Sequence, residues 1–304
     1  MRHIFVEQIS NYLKSNNDSY FLTADLGYKA FEPLQRDYPD RFINTGVGEN
    51  NAIGVASGMA MSGKKIFVYS IVPFLIFRNL EIIRNYISHN CLNITLVGAG
   101  GGFSYGNQGI SHNTFEDFAI IRTLPNFRIY SPATKQEVVK CSKEIFEYSG
   151  PVYIRLGKAP DTDHKSLETV ENLGEIYKKG KDILIISTGN LIDEVIKSSD
   201  QLNSVSLDST VLSINKLKPI DDIQLSKILS EYNNIITVEE NGIIGGINSI
   251  ISDIKSKKNI KGKIFSLALG DKVHKEIGDQ DYLRTINKID NLSITQFIKN
   301  KINK

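Results

Sequence analysis

The sequence predicts an α/β protein with two domains, each built on a mostly parallel sheet covered by helices. Three observations carry this prediction. Short apolar runs rich in Ile, Val and Phe alternate with amphipathic stretches of helical period, which is typical of parallel α/β layers. The 304 residues suffice for two domains of roughly 150 residues each. A polar segment near the middle of the chain separates two such units.

The first unit covers residues 1–165 and begins with an amphipathic helix. Strands and helices then alternate, and each strand is apolar and bounded by Gly, Asn, Pro or a charged residue. The predicted strands are residues 20–24, 65–70, 93–97, 127–130 and 152–154. The predicted helices are residues 3–14, 50–62, 74–89 and 135–148. This order predicts a mostly parallel sheet sandwiched by helices.

A second, smaller α/β unit is predicted at residues 181–304, after a linker at residues 166–180. The linker prediction depends on a polar stretch that lacks a strong period. The predicted strands of this unit are residues 183–187, 206–214, 235–239 and 263–268. We interpret its most distinctive residues as strand-end and helix-cap features. They are residues 216–219, Glu239, Glu240 and the turn 242–246.

Charge and composition exclude several classes of protein. Lys and Arg number 36 against 34 Asp and Glu, and the two signs are interspersed, so we expect neither nucleic acid nor a membrane surface as a partner. No apolar stretch reaches the 18 or more residues of a membrane span, and residues 1–17 lack the apolar run of a signal peptide. Cys91 and Cys141 suggest neither a disulfide nor zinc, and we expect both as reduced core residues of a cytoplasmic protein.

Two segments of the first unit carry candidate chemistry on helices. The segment GVGENNAIGVASGMAMSG places Glu49 after a glycine turn and at the start of a helix of small residues. A carboxylate at a helix start also fits simple capping. The segment YSIVPFLIFRNLEIIRNYI places Phe74 and Phe77 on one helical face, a spacing that core packing also explains.

A third segment, VGAGGGFSYGNQGISHNTFED, is a long glycine-rich loop that leads to His112. Its glycines do not open directly into a helix, so a dinucleotide site of the GxGxxG type is only weakly indicated. A histidine on such a loop, close to a carboxylate and aromatic residues, suits proton transfer.

Taken in order, ADLG, GENNAIGVASGMA, PFLIFRNLEIIRN, YGNQGISHNTFED and SPATKQE resemble the pyrimidine-binding half of the transketolase family. The second unit resembles the C-terminal domain of that family. Complete members also have an N-terminal domain whose GDG and Asn motif binds the diphosphate of thiamine diphosphate, and this sequence contains no GDG. The resemblance therefore implies the C-terminal subunit of a split transketolase, which needs a separate N-terminal partner subunit.

The resemblance also implies roles in binding thiamine diphosphate. Glu49 matches the glutamate that hydrogen-bonds the pyrimidine ring and so promotes removal of the thiazolium proton. Phe74 and Phe77 match the aromatic residues that flank the pyrimidine, and Asp25 matches an aspartate of the site region. The ligands of Mg²⁺ or Ca²⁺ would lie on the partner subunit, so no residue here is predicted to bind metal.

For the substrate, the resemblance implies a ketose, expected to be phosphorylated, that donates a two-carbon ketol unit to an aldehyde in an α2β2 enzyme. His112 matches a histidine that faces the substrate, and Gln108 stands where many members carry Asp. Lys158 and Arg155 lie near the position of an arginine that holds the sugar phosphate, and Arg2 is a further candidate.

Several alternatives remain open at this point. The chain resembles, within the same cofactor class, subunits of the 1-deoxyxylulose-phosphate synthase type and of the 2-oxoacid dehydrogenase type, which release carbon dioxide from substrates such as pyruvate. A nicotinamide-dependent oxidoreductase depends only on the glycine run. A catalytically silent structural subunit would not require Glu49 beside both phenylalanines.

Overall fold

The computed structural model describes residues 1–27, 30–157 and 164–302. Its strands form one seven-stranded and one six-stranded sheet. In chain order the strands are β1 (Ser19–Thr23), β2 (Phe42–Asn44), β3 (Lys65–Ile71), β4 (Ile94–Ala99), β5 (Arg128–Tyr130), β6 (Val152–Leu156), β7 (Glu168–Val170), β8 (Gly174–Lys178), β9 (Ile183–Ser187), β10 (Ser209–Ile214), β11 (Lys216–Lys218), β12 (Asn234–Gly242) and β13 (Lys263–Leu269).

Helices cover both faces of these sheets. In chain order the α-helices are α1 (Arg2–Ser15), α2 (Glu32–Asp37), α3 (Glu49–Met61), α4 (Val72–Ile76), α5 (Leu80–Ile82), α6 (Asp117–Thr123), α7 (Lys135–Glu147), α8 (Ile192–Asn203), α9 (Asp222–Ser230), α10 (Ile247–Lys257), α11 (Gln280–Ile286) and α12 (Asn291–Ile302). The two-domain α/β fold class predicted from the sequence is confirmed.

The first sheet has the strand order β11-β5-β6-β4-β3-β1-β2. All of its pairings are parallel except that of β11 with β5. One face is covered by α1 and α7, whose apolar side chains form a core with the strands. The other face packs against α3, α4 and α6, and this second core continues into the C-terminal domain. The two domains therefore share apolar packing.

The second sheet has the order β13-β12-β9-β10-β8-β7, in which the pairings of β8 with β10 and with β7 are antiparallel. Residues 166–180, expected as a linker, contribute β7 and β8 to this sheet. Strand β11 from the second half of the chain pairs instead with the first sheet. The junction between the domains is therefore built from ordered strands on both sides.

The helix predicted at residues 74–89 is broken. It consists of α4, a 3-10 turn at Phe77–Asn79, α5 and a π-helical turn at Ile83–Ser88. The buried Asn79 side chain explains the first break, because its Nδ2 donates to the carbonyls of Phe74 at 2.8 Å and Leu75 at 3.0 Å. Inserting a side chain into the main-chain ladder interrupts a helix.

Two further expectations differ from the structure. Cys91 is exposed, so its expected place in the core is wrong, whereas Cys141 is buried as expected. Strand β2 and helices α2 and α6 were not predicted, because each is only three to seven residues long. No helix in the described ranges is long and apolar enough to cross a membrane.

Candidate active site

The candidate residues gather where the central strands of the first sheet end. Because β1, β3 and β4 are parallel, their carboxyl ends lie at one edge of the sheet. Asp25 follows β1, Ser70 lies at the end of β3, and the glycine-rich loop follows β4. Ligands of open α/β sheets bind in the crevice outside these strand ends.

Glu49 is the first residue of α3 and is only 4% exposed. Its Oε1 accepts a hydrogen bond from Ser70 Oγ at 3.2 Å, and its Oε2 lies 3.2 Å from an Arg78 guanidinium nitrogen. The Arg78 side chain is 58% exposed, so this charge partner reaches the carboxylate from solvent. A carboxylate has about four acceptor positions, so Glu49 retains capacity for another donor.

An aromatic ring lies against Arg78, the charge partner of this carboxylate. The Phe74 ring meets the His112 ring edge-on, with centroids 5.0 Å apart, and the Arg78 guanidinium carbon lies 5.3 Å from the Phe74 centroid. Phe77 is 36% exposed. The structure thus links Glu49 to Phe74 through Arg78, and Phe74 to His112 through their rings.

Asp25 and Gln108 are the most solvent-exposed of the candidates. Asp25 has a positive φ of 54°, and its Oδ1 and amide make reciprocal 3.0 Å hydrogen bonds with the Asn44 side chain. This pairing presents the other carboxylate oxygen of Asp25 to solvent. Gln108 lies on the glycine-rich loop and is exposed. His112 is half-buried, and its Nδ1 lies 3.0 Å from Ser111 Oγ.

Arg155 lies apart from this group and is 4% exposed. Its guanidinium is 3.0 Å from Asp117 Oδ1 and 3.2 Å from Asn241 Oδ1, and its carbon is 3.8 Å from the Phe118 centroid. The first domain supplies Asp117 and Arg155 here, and the second supplies Asn241. We call this buried junction, with Glu240 and Arg284, the domain seam. Lys158 lies outside the described residues.

Sequence reasoning missed several polar residues of the edge. Ser70 and Arg78 hold Glu49, and Arg78 could have been found from its position four residues after Phe74 on the same helical segment. Arg2, a further candidate in the sequence, interacts with the Tyr69 hydroxyl, and burial raises the pKa of Tyr69 to about 12.

A cavity of about 300 Å³ lies beside Arg2 at the same edge. Helix α1 and the start of the chain form one side of it, and the glycine-rich loop with the end of β6 forms the other. Its lining residues are Met1, Arg2, His3, Ala99, Gly100, Ser104, Tyr105, Leu156 and Gly157. The cationic and hydroxyl groups among them suit an anionic ligand.

One of the two distinctive glutamates of the second domain, Glu239, is a helix cap, in agreement with the sequence interpretation. Glu239 is fully buried and accepts hydrogen bonds from the amides of Ile247 at 2.8 Å and Asn248 at 3.1 Å, which caps α10. Burial raises the pKa of Glu239 to about 7. Glu240 belongs to the domain seam. Across the described ranges, no cluster of three or more His, Cys, Asp or Glu residues could hold a metal ion.

The fold and the edge define an α/β protein with a buried carboxylate and aromatic rings facing a crevice, followed by a mixed α/β domain. The family model of the transketolase pyrimidine-binding domain matches residues 1–160, and that of the transketolase C-terminal domain matches residues 173–278. The chain belongs to the transketolase family, and the resemblance stated from the sequence is confirmed.

Similar proteins include ones of the same length. A protein of Methanocaldococcus jannaschii assigned as a transketolase C-terminal section is 30% identical over all of this chain and 96% of its own length. One subunit of an apulose-4-phosphate transketolase from Phocaeicola vulgatus is 28% identical, covering 90% of this chain and 89% of the relative. A solved structure described as a split-gene transketolase, an inactive β4 tetramer, has a TM-score of 0.86 and 26% identity, covering 98% and 96% of the two chains.

Proposed function

We propose that this chain is the C-terminal subunit of a split, thiamine-diphosphate-dependent transketolase that moves a two-carbon ketol unit from a phosphorylated ketose to an aldehyde. The observation that carries the proposal is Glu49. It is a buried carboxylate at the carboxyl edge of the sheet, with spare acceptor capacity, and its partner Arg78 lies against the Phe74 ring.

The residues present fit the pyrimidine of thiamine diphosphate. A flat heteroaromatic ring needs apolar faces and a hydrogen-bond acceptor at its edge. Phe74 and the partly exposed Phe77 would supply the faces, and Glu49 would supply the acceptor. Arg78 is exposed enough to leave Glu49 when a donor from the ring arrives, because an ion pair with so much solvent contributes little.

Thiamine diphosphate, when bound, supplies the nucleophilic carbon and the electron sink that ketol transfer needs. Glu49 would hold a proton on the pyrimidine edge, and Ser70 would orient the Glu49 carboxylate through its hydroxyl. His112 would donate to or accept from substrate oxygens at the reacting end, since its ring edge faces Phe74 and its Nδ1 is paired with Ser111.

The cavity beside Arg2 supports a phosphorylated substrate. Its guanidinium and the hydroxyls of Ser104 and Tyr105 line the same 300 Å³ space at the sheet edge. Arginine binds phosphate through paired, charge-assisted hydrogen bonds. Asp25 and Gln108, which are exposed at this edge, would face cofactor or sugar atoms. Lys158 remains a proposed phosphate ligand on the basis of the resemblance.

We also propose an N-terminal partner subunit that binds the diphosphate and Mg²⁺ or Ca²⁺. Two relatives of matching length are named as one subunit of a transketolase and as a transketolase C-terminal section, which supports a divided enzyme. A related chain forms an inactive β4 tetramer, which supports self-association through this subunit and an α2β2 complete enzyme.

Affinity co-purification from the native cell, followed by reconstitution, tests the proposal. We expect a stoichiometric partner chain with the diphosphate-binding motif, and ketol transfer only when both chains and thiamine diphosphate are present. Carbon dioxide release from pyruvate by the same complex would instead favour the synthase alternative. That alternative is also suggested by a 1-deoxy-D-xylulose-5-phosphate synthase of Dictyoglomus turgidum, which is 30% identical to this chain over 42% of the length of the synthase. No partner and no cofactor binding would support a structural subunit.

A further inference from the structure

A buried carboxylate of the other domain, Glu240, accepts a hydrogen bond from the glycine-rich loop that carries His112. Glu240 is 2% exposed, and both of its oxygens are occupied. Oε1 accepts from the Phe103 amide at 2.6 Å and from Gln280 Nε2 at 2.9 Å. Oε2 accepts from Arg284 Nε at 2.6 Å, with a second Arg284 nitrogen at 2.5 Å. The hydrogen-bond acceptor of the Phe103 amide thus lies 137 residues further along the chain.

Three glycines of this loop lie where a Cβ would meet neighbouring groups, and at Gly102 the neighbour is Glu240 itself. A Cβ on Gly102 would lie 2.3 Å from Glu240 Oε1, and one on Gly106 would lie 2.2 Å from Leu283 and 2.6 Å from the Gly278 carbonyl. A Cβ on Gly101 would lie 2.4 Å from Arg155. The space over these glycines is therefore filled by protein side chains and backbone. Close packing, together with the positive φ of Gly101 and Gly102, therefore explains why these positions are glycine.

The contact is transmitted to His112 through the backbone. Gly102 and Thr114 form a reciprocal bridge, with the Gly102 amide 2.7 Å from the Thr114 carbonyl and the Thr114 amide 3.2 Å from the Gly102 carbonyl. The bridge therefore joins the two ends of the loop: Gly102 precedes Phe103, and Thr114 lies two positions after His112. Displacing Phe103 therefore displaces both ends of the loop, together with the His112 ring beside Phe74.

We propose that Glu240 is a positioning residue, through which the C-terminal domain sets the place of the His112 loop at the active-site edge. The charge of Glu240 matters as well as its shape, because Arg284 donates to Oε2 while the Phe103 amide donates to Oε1. Glutamine has one acceptor atom and one donor group, so it cannot serve both sides. The catalytic part of this proposal rests on the proposed function, whereas the structural part does not.

Hydrogen exchange of the full chain tests the structural part without cofactor or partner. In Glu240→Gln we expect amides in residues 100–114 to exchange about tenfold faster, because a hydrogen bond to a charged group is lost locally. Glu239→Gln is the matched control. Glu239 is the adjacent buried glutamate on the same strand, and its carboxylate caps α10. The Glu239→Gln substitution should therefore leave exchange in residues 100–114 unchanged.

Equal exchange in residues 100–114 of folded Glu240→Gln and wild type would overturn the proposal, as would an equal increase in Glu239→Gln. If Glu240→Gln does not fold, hydrogen exchange of Gln280→Ala replaces it, because this variant removes one partly buried donor to Glu240 Oε1. Faster exchange in residues 100–114 would support the proposal, and unchanged exchange would overturn it. The expected increase is then about threefold.

In the reconstituted enzyme, Glu240→Gln should raise KM for the ketose and lower kcat/KM about tenfold at unchanged thiamine diphosphate affinity, because the loop faces the substrate. Loss of cofactor binding, or no change in kcat/KM despite faster exchange, would contradict the catalytic part. These outcomes differ from failure of the proposed function, in which wild type itself shows no ketol transfer while the exchange result stands.

Discussion

The carboxyl edge of the first sheet and the domain seam both hold carboxylates paired with arginines, but the two pairs are solvated very differently. At the edge, buried Glu49 is paired with an Arg78 that is 58% exposed. In the seam, Asp117 with Arg155 and Glu240 with Arg284 are buried on both sides. Several additional donors and acceptors surround the seam pairs, among them the hydroxyl of Tyr153 on Asp117.

This difference separates structural charge from charge that is available to a ligand. Buried charges must be compensated within the protein, and the seam residues achieve this with one another. Glu49 is compensated by a solvent-exposed side chain, so a ligand can replace Arg78 at small cost. The same comparison groups Arg155, which lies near the expected phosphate position in sequence, with the seam, because its guanidinium is paired with the buried Asp117.

The largest expected effect is at the edge and concerns activity. Glu49→Gln should lower ketol transfer by the reconstituted enzyme about a thousandfold, or about 4 kcal/mol in the barrier, because the pyrimidine loses its anionic partner. The free energy of unfolding should change by less than about 1 kcal/mol. Turnover and NMR exchange of the thiazolium proton measure the loss of activity, and urea unfolding measures the change in stability. Glu81→Gln, an exposed glutamate nearby, is the control, and retained turnover in Glu49→Gln would exclude its role.

The next largest effect is on the stability of the seam. Asp117→Asn should lower the free energy of unfolding by about 3 kcal/mol, because Arg155 is left buried without a counter-charge. Asp25→Asn makes the same chemical change at the exposed edge, and it should cost less than about 1 kcal/mol. Urea denaturation of both variants measures the contrast. Equal costs would show that burial does not distinguish the two regions.

A third prediction uses another buried contact between the domains. Glu137 of α7 accepts from the Tyr177 hydroxyl of β8 at 2.7 Å, and burial raises the pKa of Glu137 to about 7. The folded protein then keeps this proton where the unfolded chain, with an ordinary pKa, has lost it. Stability should therefore fall as pH rises from about 4.5 to about 7, by about 1 kcal/mol per pH unit.

Glu137→Gln should remove the share of this pH dependence that comes from Glu137, because the amide does not titrate. Urea unfolding at pH 5, 6 and 7 for wild type and variant measures the two slopes. Burial also raises the pKa of Glu239 to about 7. Glu239 is present in both proteins, so it accounts for the pH dependence of stability that remains in the variant. Identical slopes in the two proteins would mean that Glu137 is ionised in the folded state throughout this range.

The smallest expected effect comes from removing the exposed partner of Glu49. Arg78→Ala should change the free energy of unfolding by less than about 1 kcal/mol, because a half-solvated ion pair contributes little. Arg284→Ala removes the corresponding partner of Glu240 and should cost about 3 kcal/mol. Thermal or urea unfolding compares them. A large cost for Arg78→Ala would mean that Glu49 depends on it as the seam carboxylates depend on their arginines.

Local pattern sufficed for much of the fold and part of the site. The strand predicted at residues 183–187 has the observed ends, and the helix predicted from residue 50 begins one residue earlier, at Glu49. Glu49, Phe74 and His112 do meet at one edge. The break in the helix at Phe77–Asn79 was missed, because it depends on where the Asn79 amide points and not on helix propensity.

The sequence by itself determined the fold class, the family resemblance and several residues of the sheet edge, because apolar periodicity and local motifs act over a few neighbouring residues. Tertiary structure alone decided that Arg155 belongs to the seam, that β11 joins the first sheet and that Glu240 holds the His112 loop. These outcomes depend on groups that are distant in sequence but share one low-dielectric space, where each buried charge must find a partner.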